Sequence, residues 1–239
     1  DPNFSTLFNK ENVPIDYVIS PEIEIAKSIQ RKLEAPGALD NVPFADNKIR
    51  LLEILIDDKC LIKDIKLNEL TKRFPGLNAY ILGVIRKDSF SVLKKNDKLQ
   101  LNDKAYVVVD SSKMEETLKI FGHNEKIANK ILIIGGGNIG FNLAKNIEET
   151  FESARVKIIE KDKKRAEFIA NLLNDTIVIN GNGLDEDVLN EANLDEVETV
   201  IALTNDDEDN LMVSVLVEKF SKDKRTMALI NKPNYSLLQ

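Results

Sequence analysis

In the second half of the chain, apolar runs of four to six residues alternate with segments in which apolar residues recur at helical spacing. Lys130 to Ile134 predicts a buried strand running into Gly135-Gly136-Gly137-Asn138-Ile139-Gly140, after which Ile139, Leu143 and Ile147 keep one helical face to Glu149. Val156 to Glu160 predicts a second strand, Ala166 to Leu173 a helix, Thr176 to Ile179 a third strand and Val197 to Leu203 a fourth. Asp207 to Phe220 then reads as a long helix and Thr226 to Ile230 as a fifth strand. Strand and helix in alternation, joined by right-handed crossovers, give an α/β fold with a doubly wound parallel sheet.

The first half has another texture. Val18-Ile19-Ser20-Pro21 ends a short strand, with Ser20 as N-cap, Pro21 at the first helical position and an amphipathic helix to about Glu34. Ala35-Pro36-Gly37 breaks that helix. Strands follow at Ile49 to Ile56, Tyr80 to Arg86, Ser89 to Leu93 and Ala105 to Val109, with a short helix at Leu67 to Phe74 and a closing one at Met114 to Phe121. This is the pattern of a small α+β lobe, and Gly122-His123-Asn124-Glu125 reads as the linker beyond it. Pro2-Asn3-Phe4-Ser5-Thr6-Leu7 resembles Pro233-Asn234-Tyr235-Ser236-Leu237-Leu238, as expected if the chain spans about one period of a longer tandem protein. The start, without an initiator Met or a signal core, also reads as that of an excised piece.

Composition narrows the field. A net charge of −7 without a basic stripe argues against sequence-independent nucleic-acid binding, which needs clustered Lys and Arg. The single cysteine, Cys60, makes no intramolecular disulfide and points to no oxidising compartment, so cytosol is the default. No apolar stretch approaches the ~20 residues that cross a bilayer.

The chemistry concentrates in the glycine loop. Three glycines spaced as Gly135, Gly137 and Gly140 mean little alone, but these follow an apolar strand, open a helix and precede a strand ending in an acid, Glu160. In a Rossmann-like fold Gly135 permits the tight turn, Gly137 the approach of backbone to a diphosphate and Gly140 the packing of helix on strand. Free amides and the positive helix end at Gly136, Asn138 and Ile139 face the phosphates. Glu160 accepts hydrogen bonds from ribose hydroxyls and repels a 2′-phosphate, favouring NAD or an adenine nucleotide over NADP. Lys161, Lys163, Lys164 and Arg165 blur that preference, although a solvated helix start explains most of them.

Thr204 and Asn205 follow the fourth strand, at the sheet edge where ligands collect, and either one touches nucleotide or caps the next helix. Capping outweighs a cation site for the acidic run Asp206 to Asp209. Catalytic equipment is thin. His123, the only histidine, lies in the linker, no tyrosine has a Lys four residues later, and no Cys and His pair to hold zinc. An NAD-dependent oxidoreductase with the small lobe as substrate domain is the alternative reading.

Several segments resemble the TrkA peripheral subunits of bacterial Trk potassium-uptake systems, a family built from RCK domains. They are Val13-Pro14-Ile15-Asp16, Ile19-Ser20-Pro21-Glu22, Pro36-Gly37-Ala38-Leu39, Ile133 to Gly140 and Ile201 to Glu208. The resemblance implies that residues 1–36 are the tail of a first nucleotide-binding RCK domain, 37–122 its small lobe, and 128–239 a second, truncated nucleotide-binding domain. It also implies a non-catalytic subunit that binds NAD or NADH, with ATP or ADP as alternatives. That subunit would form a homo-oligomeric ring at the cytoplasmic face of the membrane and regulate an integral potassium transporter. Asn182, in Gly181-Asn182-Gly183, stands where the family usually has Asp and is carried over as a nucleotide contact without the charge. Leu101-Asn102-Asp103 lacks the Gly-Asp usual before the lobe's last strand.

Overall fold

The structure is a computed structural model that describes residues 19–220 and 224–232. The segments Pro2 to Leu7, Val13 to Asp16 and Pro233 to Leu238, and the part before Ile19 of the strand expected to end at Val18-Ile19-Ser20-Pro21, lie outside the described residues. The described residues fall into two compact units, one of residues 28–130 and the other of residues 19–27, 131–220 and 224–232.

Helix α1 (Pro21–Glu34) begins at the expected proline. The Ser20 carbonyl accepts the Glu24 amide (3.1 Å), while its hydroxyl donates to Glu22 (2.9 Å) rather than capping.

In the unit of residues 28–130, five antiparallel strands lie in the order β1-β2-β5-β3-β4. They are β1 (Asp40–Phe44), β2 (Ile49–Leu55), β3 (Ala79–Arg86), β4 (Ser89–Ser91) and β5 (Lys104–Asp110). Alternate residues Leu52 and Ile54 of β2 and Ala105, Val107 and Val109 of β5 point to one face. There they meet Leu70 of α2 (Leu67–Arg73) and Leu118 of α3 (Met114–Ile120). Strand β1 was not anticipated: Asp40, Asn41 and Pro43 carry turn signals, and Pro43 is tolerated because β1 is an edge. Asn102 takes a left-handed conformation (φ 67°) that Gly adopts at no steric cost. Beside it, buried Asp103 accepts both Nε and Nη2 of Arg86 (2.7 Å each) and the Gln100 amide (2.8 Å). The Asp103 carboxylate holds the Arg86 guanidinium above its usual range.

The other unit carries the expected α/β core. Its strands are β6 (Lys130–Ile134), β7 (Arg155–Glu160), β8 (Ile177–Asn180), β9 (Thr199–Ala202) and β10 (Arg225–Ala228). They form one sheet in the order β10-β9-β6-β7-β8, with the β10/β9, β9/β6 and β7/β8 pairs parallel. From β6 the chain winds outward through β7 to β8, then returns to lay β9 on the opposite side of β6. The order therefore reverses between β6 and β9, the switch point where the carboxyl ends of doubly wound sheets open a crevice.

Helices α4 (Asn138–Thr150) and α7 (Asp207–Phe220) match expectation closely. Helix α5 (Lys163–Ala170) starts three residues before the reading from Ala166, because the Asp162 carboxylate accepts the Arg165 amide (2.7 Å) and caps a turn of charged residues that shows no apolar period. The short α6 (Glu186–Glu191) carries no apolar period in the sequence, with Leu189 its one buried residue. Strand β9 is shorter than Val197 to Leu203: Val197 closes the 3₁₀ turn Leu194–Glu196, its amide donating to the Leu194 carbonyl (3.0 Å). Glu148 of α4 accepts the consecutive amides of Asn174, Asp175 and Thr176 (3.1, 2.9 and 2.7 Å), which tie the entry to β8 to that helix. Burial opposes its ionisation, but these bonds prevail and hold the carboxyl below its usual range.

Candidate functional site

The glycine loop joins β6 to α4 at the switch point, and each glycine answers a different demand. Gly135 has φ 108°, and its amide donates to the Ile159 carbonyl (2.9 Å). A Cβ there would press on the backbone of Leu203 and Thr204. A Cβ on Gly136 would meet the Ile169 side chain, and one on Gly140 the Gly135 carbonyl oxygen. At Gly137, the N-cap of α4, a Cβ would meet nothing within 4 Å. Packing therefore accounts for three of the glycines. The fourth faces open space at a helix start whose first amides lack intrahelical partners.

Glu160 ends β7 beside the loop and is half-buried. Its Oε2 accepts the Gly136 amide (2.7 Å) and its Oε1 the Asp162 amide (2.8 Å). Both oxygens keep lone pairs for further donors such as ribose hydroxyls.

Two cavities share Gly137, Glu160, Leu203, Thr204 and Asn205. One, of about 330 Å³, continues past Lys161, Asn182 and Asp209. The second, of about 480 Å³, continues past Asn138, Ile139, Arg165 and Asn231. Nine of the eleven residues expected at a nucleotide site, Gly135, Gly137, Asn138, Ile139, Glu160, Lys161, Asn182, Thr204 and Asn205, thus line one space or the other. Gly136 and Gly140 lie beneath as packing positions. Asn182 forms a turn in which its Oδ1 accepts the Leu184 amide (3.1 Å), a role a carboxylate oxygen could fill equally.

The loop after β9 corrects one expectation. Neither Thr204 nor Asn205 caps α7; the Asp206 carboxylate does, accepting the Asp209 amide (3.0 Å). The Thr204 hydroxyl and amide both donate to Oδ1 of Asn210 (2.8 and 2.9 Å). Fully buried Asn210 in turn donates through Nδ2 to the carbonyls of Thr204 (3.1 Å) and Leu229 (2.9 Å). Buried Asp207 accepts the Asn231 amide (3.0 Å) and the Lys232 amide (2.8 Å). The Asn231 amide contributes most to holding this carboxyl below its usual range; burial opposes it and the Lys232 amide adds to it. The first turn of α7 thus binds the loop after β9 to the segment after β10. The sequence held a signal for Asn210, a polar residue at i of an i, i+3, i+7 stripe completed by Val213 and Val217.

Arg165 departs from the solvated-lysine reading of its neighbours: its guanidinium turns back onto the loop, with Nε donating to the Gly136 carbonyl (2.8 Å). Nothing in spacing or charge pattern marks it. Burial raises the Cys60 pKa, consistent with an inert packing residue. Among the described residues no group of acids, His and Cys is arranged to hold a metal, and no helix is long and apolar enough to cross a membrane.

Comparison with known proteins bears on this geometry. Residues 131–238 match the family described as the TrkA-N domain. The chain is 37% identical over 235 residues to the Trk system potassium uptake protein TrkA of Azorhizobium caulinodans, covering 98% of this chain and 51% of that protein. It is 31% identical over 229 residues to the protein of the same name from Vibrio alginolyticus, covering 96% of this chain and 49% of the relative. The chain thus spans about half the length of the curated relatives it matches. Among solved structures, the GsuK RCK domain superposes with TM-score 0.62 at 18% identity, over 98% of this chain and 48% of that one. A GsuK channel bound to NAD superposes with TM-score 0.62 at 16% identity, over 98% of this chain and 40% of that one. At these identities the likeness establishes the fold.

Proposed function

From the premise that the chain belongs to the TrkA family of RCK-domain proteins, with a TrkA-N domain at residues 131–238, we propose that it is a regulatory nucleotide-binding part of a potassium-uptake system. In this reading NAD or NADH binds across the switch point, and an adenine nucleotide such as ATP or ADP would use the same adenosine contacts. The observation that carries it is the crevice at Gly137, open at a helix N-terminus and flanked by Glu160. The residues suit such a ligand: amides at Gly137, Asn138 and Ile139 for the diphosphate, Glu160 for ribose, and Asn182, Thr204 and Asn205 around the adenosine half.

The same reading makes the chain non-catalytic, oligomeric and peripheral at the cytoplasmic face of the membrane, where its partner is an integral potassium transporter. The nucleotide would act by preferring one state of the assembly over another, because a ligand with equal affinity for both shifts nothing. Couplings of this kind are typically on the order of 1–3 kcal/mol. Support for the partner comes from the TrkA relatives, which are potassium uptake proteins of the Trk system by name.

Calorimetric titration with NADH, NAD, ADP and ATP tests the proposal. Saturable binding without turnover is expected in the wild type, and its loss in Gly137→Asp with the melting temperature retained; Glu160→Lys should lose binding too, with a lower melting temperature because the Gly136 and Asp162 amides lose their acceptor. An Asp at the N-cap suits the helix, so the first variant removes binding without removing the fold. Normal titration curves in both variants would contradict the assignment, and steady oxidation of NADH with a metabolite pool would favour an oxidoreductase.

A further inference from the structure

We propose that Arg165 is a positioning residue of the glycine loop, acting through the Gly136 carbonyl to orient the Gly137 amide toward a diphosphate. The proposal rests on the nucleotide reading above and adds how the loop keeps its shape.

Asp162 caps α5 by accepting the main-chain amide of Arg165 itself, so the backbone from which the side chain leaves is held (2.7 Å). The guanidinium then turns back over the loop, Nε donating to the Gly136 carbonyl (2.8 Å) and Nη2 to Oδ1 of Asn138 (3.3 Å). Its Cζ lies 5.9 Å from the centre of the Phe141 ring and 5.5 Å from that of Phe168, distances at which ring faces attract a cation. Lys161, Lys163 and Lys164 beside it are exposed.

The consequence follows from peptide geometry. In a planar trans peptide the C=O and N–H point in opposite directions. Tying the Gly136 carbonyl toward α5 therefore turns the Gly137 N–H to the other side of the loop. The Gly136 N–H is engaged as well, donating to Glu160 (2.7 Å). With both polar groups of Gly136 held by β7 and α5, Gly137 offers the first amide of the loop to a ligand. Gly137 has no Cβ to brace it, and a glycine peptide without an anchor samples many orientations. Arg165 limits that sampling before any ligand arrives, which lowers the ordering cost of binding.

The test compares Arg165→Gln and Arg165→Lys with the wild type. ADP and NADH are titrated by calorimetry, adenosine binding is followed by NMR, and thermal melting and amide hydrogen exchange of residues 135–139 are measured without ligand. Lys keeps the charge but lacks the planar fork. Both variants are expected to lose about tenfold or more in affinity for ADP and NADH, the scale of one hydrogen bond to a charged group. Adenosine binding and the melting temperature should hold, and loop exchange should quicken. Full rescue by Lys would assign the effect to charge and overturn the positioning role. Equal loss for adenosine, unchanged ADP binding or unchanged loop exchange would overturn it too. A wild type that binds no nucleotide would refute the functional reading itself, whereas a binding wild type with unaffected variants refutes only the role of Arg165.

Discussion

At Gly137 an added methyl group meets open space, whereas at Gly140 it meets the Gly135 carbonyl oxygen. The two substitutions should therefore separate folding from binding. Gly140→Ala is expected to destabilise the unit by about 1–3 kcal/mol, the usual cost of overpacking, measured by urea unfolding. Gly137→Ala should lose no more than about 1 kcal/mol, the difference between Gly and Ala at an N-cap, yet bind nucleotide more weakly, because its methyl occupies the ligand's approach. The glycine pattern and Glu160 were legible in the sequence because close backbone packing leaves a spacing behind it. Arg165 was not, since a side chain that folds back onto a distant carbonyl leaves no period; Asn210 left only its place on an otherwise apolar stripe with Val213 and Val217. Asp207 yields a prediction in acid. A carboxyl whose folded pKa is depressed contributes stability above its unfolded pKa near 3.9, and that contribution is lost as pH falls through the lower folded value. The melting temperature of Asp207→Asn should thus lie below that of the wild type at pH 7, with the gap closing below about pH 4. A gap that stays constant to pH 3 would show that the Asp207 charge contributes nothing.

Among the elements, α7 does more than cover the sheet. Its first turn holds the segments after β9 and β10 through Asn210 and Asp207, so the ends of two neighbouring strands share one anchor. Asn210→Ala leaves part-buried groups of Thr204 and Leu229 without their partner, at a combined cost of roughly 1–3 kcal/mol. Urea unfolding is expected to show a loss in that range. Nucleotide affinity should fall with it, because Thr204 and Asn205 line both cavities. Wild-type affinity in a destabilised Asn210→Ala would separate the anchor from the site. Long elements with strong apolar periods, β6, α4 and α7, could be read within a residue or two. Those that rest on capping or pairing were misplaced or missed: α5 starts on a charged turn set by Asp162, α6 buries one leucine, and β1 carries an edge proline.

For the whole molecule, the two units each have their own core, one antiparallel and one largely parallel. Ligand binding stabilises what it binds by about 2.7 kcal/mol at a hundredfold excess over Kd. NADH at that excess should slow amide exchange within residues 131–232, above all at the glycine loop and at Thr204, and leave the core strands of residues 28–130 unchanged. Equal slowing in both would contradict a site confined to the switch point. The fold class was visible in the alternation of strand and helix. The side of β6 on which β9 lies was not a local property of any segment; it emerges from pairing across the sheet.

The most direct test is a crystal structure of the chain with NADH bound. The diphosphate should lie within hydrogen-bonding distance of the amides of Gly137, Asn138 and Ile139, with a ribose against Glu160. A crevice that stays empty at saturating NADH, or a dinucleotide seated elsewhere on the molecule, would contradict the account.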